Sequence, residues 1–386
     1  MRSLKTKSSE LRASRNSASE SIAVIKRNGE DPSKAIKQTR IIGEELKVVE
    51  TELERIGKEF NHIMERIPNT PHDTVPIGAN ESENVFVREW GKKKEYDFPL
   101  KSHLELGKSL SLFDFKRGAK LSGNGFPLYI GKGAELERKL INAMLDYHIQ
   151  NFGFKEILPS VLINKKSMQT TGQLPKFQDD MYHTEVDNLY LAPTAEVPIT
   201  SFHRNEILSE SDLPLKYVGY TPCFRRESGS YGKDTRGLLR VHQFNKVELV
   251  EFTTPEQSFD QLEALTLQAE TVLQRLGLHY RVIELCSGDL SFSASKCYDI
   301  ELWAPGEKKY LEVSSCSNFE SFQARRGNIK YRVNENKKIN FTHTINGSGL
   351  ATPRLVIALI ETYQNSEGNV RFPEQVASFL GIEELS

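Results

Sequence analysis

The chain has few cysteines and no recurring metal-binding or nucleotide-binding motif. Its four cysteines contain no CxxC pair, and its nine histidines form no HxH or HExxH pattern. These absences argue against a zinc ribbon and against a disulfide framework, and they fit a reducing compartment. Walker A and GxGxxG motifs are absent too. A nucleotide bound by this chain would therefore not lie in a P-loop or a Rossmann crevice.

An excess of one charge and a long apolar run are also missing. The formal net charge is −1, from 51 Lys and Arg against 52 Asp and Glu, so a nucleic acid would have to be bound by local basic patches. No apolar run approaches the roughly 20 residues that span a bilayer, and the first residues lack the apolar centre of a secretory signal. The length of 386 residues and 27% charged composition predict a soluble protein with two or three domains and no membrane partner.

The N-terminal stretch MRSLKTKSSELRASRNSASES is basic, rich in serine and poor in acids, as organellar transit peptides are. Against that interpretation, apolar residues recur along it at spacings of seven, four and three residues, which indicates one apolar stripe on a helix. We therefore predict a structured helix and a cytoplasmic location, with an organellar location as the alternative. The stripe consists of Leu4, Leu11, Ala18, Ile22 and Ile25.

A second helical pattern covers residues 32–67. Its apolar positions alternate steps of four and three over more than three heptads, as in a coiled coil. The intervening KRNGEDPSK supplies residues that end one helix and start another, which predicts an antiparallel helical hairpin. Periodicity does not distinguish a phosphate-binding arm, using basic residues of the first helix, from a dimerisation coiled coil or a plain bundle. The heptad positions are Ile42, Leu46, Val49, Leu53, Ile56, Phe60, Ile63 and Ile67.

A domain boundary is predicted in IPNTPHDTVPIGANESEN, residues 67–84, because Pro, Gly, Asn and Asp break the helical pattern there. Beyond it, GKGAELERKLINAMLDYHIQNFGF has apolar residues at helical spacing and predicts an amphipathic helix over residues 134–150. The following KEILPSVL predicts a short strand whose Pro159 suits a sheet edge. This helix and strand are consistent with a dimer surface or with a buried core element.

Two strand patterns flank a glycine-rich loop in the next part of the chain. In YVGYTPCFRRES the two-residue period puts Arg225 and Glu227 on one face, and in GLLRVHQFNKVELVEF it aligns Arg240, Phe244 and Glu248. The loop SGSYGKDTRG between them predicts an antiparallel hairpin. Guanidinium groups bind phosphate, an aromatic ring stacks on a base, and carboxylates accept from amines. The face suits a nucleotide and an amino acid, although cross-strand ion pairs are the simpler alternative.

Two further segments favour the nucleotide interpretation. YLEVSSCSNFESFQARR offers Glu312 and Ser315 as oxygen ligands for a hard cation such as Mg²⁺. NGSGLATPRLVIALIETYQ places Asn346 and Ser348 before a helix that opens with a proline and has Arg354 in its first turn. The N-terminus of a helix favours a bound anion.

These motifs resemble a known family. CFRRESG followed by DTRGLLRVHQFNKVE is similar to motif 2 of the class II aminoacyl-tRNA synthetases. APTAEVP, YDIELW, EVSSCSNFESFQARR and NGSGLATPR, in that order, resemble the seryl-tRNA synthetases from about residue 4 to the C-terminus. The resemblance implies an α+β fold, with an antiparallel sheet flanked by helices and an N-terminal antiparallel two-helix coiled-coil arm. It implies a tRNA-binding arm over residues 1–67, a linker over 68–102 and a catalytic domain over 103–386.

The resemblance also implies an activity. The chain would activate L-serine with ATP to seryl-adenylate and transfer the seryl group to the 3′ end of serine tRNA, and also of selenocysteine tRNA. Mg²⁺ would assist, and the helix at 134–150 with Pro159 would build a homodimer interface. Two alternatives stay open: a ligase that loads an amino acid onto a carrier protein, and a non-catalytic paralogue that binds RNA.

Site residues follow from the resemblance position by position. The catalytic residues would be Arg225, Glu248 and Arg354, and serine would be bound by Thr194, Ala195, Glu196, Glu248, Asn346 and Ser348. ATP would be bound by Arg225, Arg226, Glu227, Arg240, Val241, Phe244, Glu312, Val313, Ser314, Ser315 and Arg354, and Mg²⁺ by Glu312 and Ser315.

The chain departs from the family pattern at its N-terminus. Members of the family usually begin with a few dozen residues that pack beside the arm, whereas this chain starts within the first arm helix. We expect a shortened arm that affects tRNA binding and leaves serine activation intact. The lack of a cysteine-based metal site argues against the divergent zinc-dependent form of the enzyme.

Overall fold

The computed structural model describes residues 1–228 and 236–386. Most of the predicted loop SGSYGKDTRG lies outside the described residues. The chain divides into two compact units, Met1–Ile67 and Pro68–Ser386. Within the described ranges, no helix combines the length and apolar character needed to cross a membrane.

The first unit is the predicted helical hairpin, formed by α1 (Arg2–Arg27) and α2 (Ser33–Met64). Two of the basic residues on α1 pair with acids on α2: Lys7 lies 2.8 Å from Glu45, and Arg12 lies 2.6 Å from Glu50. These side chains therefore connect the two helices of the hairpin. Because the pairs are largely exposed, each contributes at most about 1 kcal/mol to stability.

The predicted heptad seam is buried over only part of its length. Leu46 and Val49 are buried, whereas Phe60, Ile63 and Ile67 are 46%, 54% and 48% exposed. The heptad spacing therefore extends beyond the part of the pattern that is buried. With 26 residues in α1 and 32 in α2, α2 is longer by about 9 Å at 1.5 Å per residue. The end of α2 therefore has no matching turn on α1.

The second unit contains the remaining helices and all the strands of the described chain. The helices are α3 (His103–Ser109), α4 (Phe115–Ser122), α5 (Lys132–Phe152), α6 (Lys165–Thr170), α7 (Glu196–Ser201), α8 (Ser258–Arg275), α9 (Phe322–Gly327), α10 (Thr352–Tyr363) and α11 (Glu374–Leu380). The strands are β1 (Val85–Trp90), β2 (Lys155–Glu156), β3 (Leu162–Asn164), β4 (His183–Thr184), β5 (Leu189–Leu191), β6 (Ile207–Ser209), β7 (Leu215–Phe224), β8 (Gln243–Thr253), β9 (Tyr280–Glu284), β10 (Lys296–Ala304), β11 (Lys309–Asn318), β12 (Lys330–Arg332), β13 (Ile339–Phe341), β14 (His343–Ala351), β15 (Val370–Arg371) and β16 (Glu384–Leu385).

An eight-stranded sheet in the order β1-β9-β10-β11-β14-β8-β7-β2 forms the centre of this unit. Adjacent strands in this sheet are antiparallel, except that β2 at the edge pairs in parallel with β7. The main apolar core includes the buried faces of α5, α8 and α10 together with inward residues of the sheet. The antiparallel sheet flanked by helices confirms the predicted fold class.

The predicted hairpin is formed by β7 and β8, but the strands are shorter than the two-residue pattern suggested. Cys223 lies opposite Phe244, and Gly219 lies opposite Glu248. Because β7 ends at Phe224 and β8 begins at Gln243, Arg225, Glu227 and Arg240 lie beyond the strands. Glu227 has φ of 51°, a left-handed conformation that strand alternation does not contain. Assigning these three residues to a strand face was therefore wrong.

The strand predicted in KEILPSVL is also interrupted. Only Lys155 and Glu156 pair with β7, and Leu162–Asn164 joins a separate three-stranded sheet with β5 and β4. Pro159 lies between the two pieces. It has no backbone N–H to donate to a ladder, so the break at this position has a local cause.

One buried carboxylate joins three elements beside the sheet. Glu137 on α5 accepts a hydrogen bond from Asn245 Nδ2 on β8 at 2.7 Å, and the same oxygen accepts from Thr352 Oγ1 at the start of α10. Burial raises the pKa of Glu137. The helix predicted at 134–150 is thus fixed to both β8 and α10.

Candidate active site

A cavity of about 480 Å³ is lined by residues of β8, β11 and β14 and by the segments that precede β8 and α10. Nearly all of the predicted site residues lie in its wall. They are Thr194, Glu196, Arg225, Glu227, Arg240, Val241, Phe244, Glu248, Glu312, Val313, Ser314, Ser315, Asn346, Ser348 and Arg354.

Two predicted residues lie outside this wall. Ala195 is fully buried in an apolar cluster with Ile199 and Tyr217. Arg226 is exposed, and its backbone N–H donates to the Asp180 carbonyl at 2.9 Å. The roles predicted for these two residues gain no support from the cavity geometry.

Buried acids form one end of the cavity, called here the acidic end and defined by Thr194, Glu196, Lys246 and Glu248. Thr194 Oγ1 donates to Glu248 Oε2 at 3.1 Å, and Lys246 Nζ forms an ion pair with the same oxygen. Each of the four residues is at most 8% exposed. With two carboxylates and one ammonium, the acidic end carries a net negative charge when both acids are ionised.

Glu196 stands at the first position of α7, close to the other carboxylate. Its side chain accepts from Gln323 Nε2 at 2.6 Å, and Asn346 also forms a hydrogen bond to it. Burial and then the nearby Glu248 carboxylate raise the pKa of Glu196 to about 7, against an opposing effect of Lys246. A like charge and a dry environment both favour the protonated acid. A bound cation would reverse that preference.

Strand register places the hydroxyl and amide groups beside these acids. Ser348 on β14 lies directly opposite Glu248 on β8. The Ser348 backbone carbonyl accepts from Ser314 Oγ on β11 at 2.7 Å. This bond joins the two neighbouring strands under the cavity, so the polar groups are held by rigid sheet elements.

Three guanidinium groups line the same cavity as a second group, called here the arginine end and defined by Arg225, Arg240 and Arg354. Arg225 Nε donates to the Pro193 carbonyl at 3.2 Å, and its guanidinium lies 5.2 Å from the centroid of the Phe244 ring. Arg240 forms an ion pair with Glu227 at 3.1 Å. Cations grouped around an aromatic ring suit a base with attached phosphates.

Arg354 lies in the first turn of α10, as predicted. Its Nη1 donates to the Glu312 carbonyl at 2.7 Å and lies 3.8 Å from the Glu312 carboxylate. Its Nε donates to the Leu239 carbonyl at 3.4 Å. These bonds fix the guanidinium at a helix N-terminus, where the backbone dipole adds to its attraction for an anion.

The predicted cation ligands lie near each other on β11. The Glu312 side chain is 51% exposed, and Ser315 Oγ lies 3.1 Å from Cys297 Sγ. Asp299 on β10 is opposite Ser315, and burial and then Glu312 raise the pKa of Asp299 well above its usual range. A carboxylate and a hydroxyl beside a further acid form an oxygen donor set that suits a hard divalent cation.

Comparison with known proteins agrees with this geometry. A family model described as the tRNA synthetase class II core domain (G, H, P, S and T) matches residues 177–363, and the seryl-tRNA synthetase N-terminal domain matches residues 1–71. Serine–tRNA ligase of Chlorobium phaeobacteroides is 51% identical over 386 residues, which covers 100% of this chain and 90% of the relative. That of Geobacter sulfurreducens is 51% identical over 380 residues, covering 98% and 90%. The chain belongs to the seryl-tRNA synthetase family.

Solved structures of seryl-tRNA synthetases have the same fold. The enzyme from Pyrococcus horikoshii, complexed with ATP, has a TM-score of 0.89 at 36% identity, covering 100% of this chain and 90% of that chain. The cytoplasmic serine–tRNA ligase of Naegleria fowleri, in complex with AMP, has a TM-score of 0.83 at 28% identity with the same coverage. The family resemblance inferred from the motifs is therefore confirmed.

Sequence reasoning missed two polar residues of this seryl-tRNA synthetase site. Lys246 lies between Phe244 and Glu248 in the two-residue alternation of β8, so that pattern contained the signal for it. Gln323, which donates to Glu196, lies on the short helix α9. It is 127 residues from Glu196 in sequence, and no local pattern connects the two positions.

Proposed function

We propose that this protein activates L-serine with ATP to form seryl-adenylate and transfers the seryl group to the 3′ end of serine tRNA. The observation that carries the proposal is a single cavity whose wall includes both the acidic end and the arginine end. The ammonium of an amino acid complements the acidic end, and the phosphates of ATP complement the arginine end. Membership in the seryl-tRNA synthetase family supports serine as the amino acid and tRNA as the acceptor. Selenocysteine tRNA stays a prediction.

The acidic end would receive the serine ammonium. Glu196 and Glu248 supply the negative charge, and Thr194 is placed to join them because it already donates to Glu248. Ser348 and Asn346 on β14 would meet the serine hydroxyl. A site that hydrogen-bonds a hydroxyl rejects alanine, because alanine leaves buried polar groups unpaired. Threonine would be excluded by the volume of its methyl group.

The arginine end would bind ATP. Phe244 would stack on adenine, Glu227 would accept from its amino group, and Arg225 would contact the α-phosphate. Arg240 would lie on the other side of the base, and Arg354 would contact the γ-phosphate.

Two displacements then complete the reaction. In the first, a serine carboxylate oxygen bonds to the α-phosphorus as the bond to pyrophosphate breaks. In the second, a terminal ribose hydroxyl of tRNA attacks the seryl carbonyl as AMP leaves. Neither step needs a covalent enzyme nucleophile, so the protein acts by alignment and charge stabilisation.

Glu312 and Ser315 would hold Mg²⁺, and the oxygen donor set described above fits that ion. The cation would neutralise phosphate charge when bound. Arg354 would stay beside Glu312 and orient the γ-phosphate.

We also propose a homodimer through α5 and the segment around Pro159, and a cytoplasmic location. The chain would divide into an arm over 1–67, a linker over 68–102 and a catalytic domain over 103–386.

The deciding experiment is ATP-pyrophosphate exchange with each amino acid separately, followed by charging of total tRNA with the one that works. Exchange with serine and charging of serine tRNA would support the proposal. Exchange without charging would indicate either weak tRNA binding by the arm or a carrier-protein acceptor, and no exchange with any amino acid would favour a non-catalytic paralogue. The match of residues 1–71 to the seryl-tRNA synthetase N-terminal domain argues against the carrier-protein ligase, and the charged residues present in the cavity wall argue against a non-catalytic paralogue.

Serine affinity should weaken as the pH falls below about 7. The serine ammonium binds ionised Glu196, whose pKa in the free enzyme is about 7, so each unit below that pH should raise the serine Kd roughly tenfold. The pKa of Glu196 is higher in the folded than in the unfolded chain, so Glu196 also lowers the folding stability of the free enzyme as the pH rises from 4.5 to 7.

Calorimetric titration with serine from pH 5.5 to 8 measures the serine Kd. A flat profile in that range, or an unchanged slope in Glu196→Gln, would contradict the assignment.

Removing residues 1–67 should separate the two half-reactions. Because this segment is a compact unit of its own, residues 68–386 should keep serine-dependent exchange within a few-fold of the full chain. Charging should fall by about a hundredfold or more, since contacts to tRNA phosphates would be lost. The full chain assayed in parallel is the control. Undiminished charging by the shorter chain would show that residues 1–67 do not bind tRNA.

A further inference from the structure

A buried histidine connects two parts of the arginine end without lining the cavity itself. His103, the first residue of α3, is fully buried. Its Nε2 accepts a hydrogen bond from the backbone N–H of Leu238 at 3.3 Å. Because Nε2 accepts, the proton of the neutral ring must be on Nδ1.

The other side of the ring faces two carboxylates. His103 Nδ1 lies 3.0 Å from Glu307 Oε1 and 3.5 Å from Glu361 Oε1. Neither oxygen is aligned for a hydrogen bond to Nδ1, so the contact is one between a polar N–H and two nearby charges. This arrangement favours the tautomer that leaves Nε2 free to accept from Leu238.

Glu361 anchors this arrangement to α10, the helix that carries Arg354. It is fully buried and accepts from three backbone N–H groups: that of His103 at 2.8 Å, that of Gly306 at 2.9 Å and that of Glu307 at 3.1 Å. A buried carboxylate with three such donors is fully engaged and has little freedom to move. His103 is thus held at a fixed position relative to α10.

The segment that donates a hydrogen bond to His103 continues into the cavity wall. Residues 238–241 all line it, and Gly237 precedes them with φ of 62°. A Cβ at Gly237 would overlap His103 Nε2, so backbone and ring are in close contact there. The Leu239 carbonyl accepts from Arg354 Nε at 3.4 Å, and Arg240 pairs with Glu227 at 3.1 Å.

We propose that His103 is a positioning residue for ATP. Through its bond to Leu238 it fixes the start of residues 238–241 against α10, so that Arg240 and Arg354 are held in one geometry. The inference rests on the proposed function, because it takes ATP to bind between these arginines. His103 makes none of the bonds of the acidic end. Loss of the Leu238 bond should therefore affect ATP and leave serine unaffected.

Two amide substitutions test the proposal as a matched pair. In His103→Gln the side-chain oxygen can reach the Nε2 position and accept from Leu238, whereas in His103→Asn the shorter amide reaches only the Nδ1 position. We expect His103→Asn to raise the KM for ATP about tenfold, because a buried N–H loses its acceptor. The KM for serine should stay unchanged. His103→Gln should restore the KM for ATP to within about threefold of the unsubstituted value.

A further variant disturbs the contact between His103 and residues 237–241 by changing the backbone partner instead of the histidine. Gly237→Ala places a methyl group against His103 Nε2 and should raise the KM for ATP by a similar factor, again without changing the KM for serine. Equal values for His103→Asn and His103→Gln, or parallel rises in both KM values, would show that His103 has only a general structural role.

Calorimetric titration with ATP separates failure of this inference from failure of the proposed function. If serine-dependent exchange is absent but ATP binds, a Kd raised about tenfold in His103→Asn and restored in His103→Gln would still support positioning by His103. If ATP does not bind to the unsubstituted protein, both proposals fail. Metal analysis tests whether His103, Glu307 and Glu361 instead bind a cation. One divalent ion per purified chain, lost in both His103→Asn and His103→Gln, would replace the positioning role with a cation site.

Discussion

Arg225→Ala is expected to lower serine-dependent ATP-pyrophosphate exchange by about a hundredfold to a thousandfold, the range seen when one group that stabilises a transition-state charge is removed. The guanidinium lines the cavity, where its bond to the Pro193 carbonyl fixes it beside Phe244. Negative charge redistributes around the α-phosphorus as serine attacks. A cation fixed at that point stabilises the transition state more than bound ATP. The loss should therefore appear mainly in kcat, measured by exchange at saturating ATP and serine.

The neighbouring Arg226→Ala is the matched control. Arg226 is exposed and lies outside the cavity wall, so this variant should keep exchange within a few-fold of the unsubstituted rate. Both variants should melt within a few degrees of the unsubstituted protein, since neither arginine is in the core. A comparable loss in Arg226→Ala would restore its predicted role in ATP binding. Near-normal exchange in Arg225→Ala would refute the assignment of the α-phosphate site.

Glu248→Gln should lower kcat/KM for serine by about a hundredfold to a thousandfold, while ATP binding changes only a few-fold. Glu248 is 1% exposed, and its ion-pair partner Lys246 is 7% exposed. Without the Glu248 charge, Glu196 is the one carboxylate left at the acidic end, and the Lys246 ammonium offsets its charge. The acidic end would thus lose half of its carboxylate charge for the serine ammonium. Steady-state exchange at varied serine, with ATP titration alongside, measures both effects.

Glu251→Gln is the control for replacing a buried carboxyl group on β8. Glu251 lies on the same strand, is fully buried and pairs with Lys216 at 3.2 Å, yet it does not line the cavity. Its replacement should leave the serine KM unchanged even if it alters stability. If both variants lose serine activation equally, the effect belongs to β8 as a whole and not to an ammonium site.

Much of the fold could be predicted from local signals in the sequence, and most of the residues predicted for the site line one cavity. The heptad spacing in residues 32–67 predicted the hairpin, and the glycine-rich loop between two strand patterns predicted the pairing of β7 with β8. The family motifs predicted residues that line one cavity although they are far apart in the chain, as Thr194 and Arg354 are. The signal there was the order and length of the motifs, not the chemistry of any single residue.

The rest depended on three-dimensional context that no local pattern contains. Alternation suggested that Arg225 and Glu227 share a strand face, but Glu227 adopts a left-handed conformation after β7 has ended. Apolar spacing predicted a seam as far as Ile67, but burial also depends on how far the partner helix extends. Gln323 and His103 form hydrogen bonds with residues more than 100 positions away, and no local pattern in the sequence indicates such contacts.

The triple junction at Glu137 has a thermodynamic consequence for regulation. Its carboxylate links α5 to Asn245, next to Phe244 on β8, and to Thr352, two positions before Arg354. A molecule that shifts α5 on binding would therefore act on the surroundings of both Phe244 and Arg354, the residues proposed to contact adenine and the γ-phosphate. Coupling free energies are reciprocal, so a ligand in the cavity would change the affinity of that molecule by the same factor. If α5 forms the subunit interface, dimer dissociation should depend on ATP concentration.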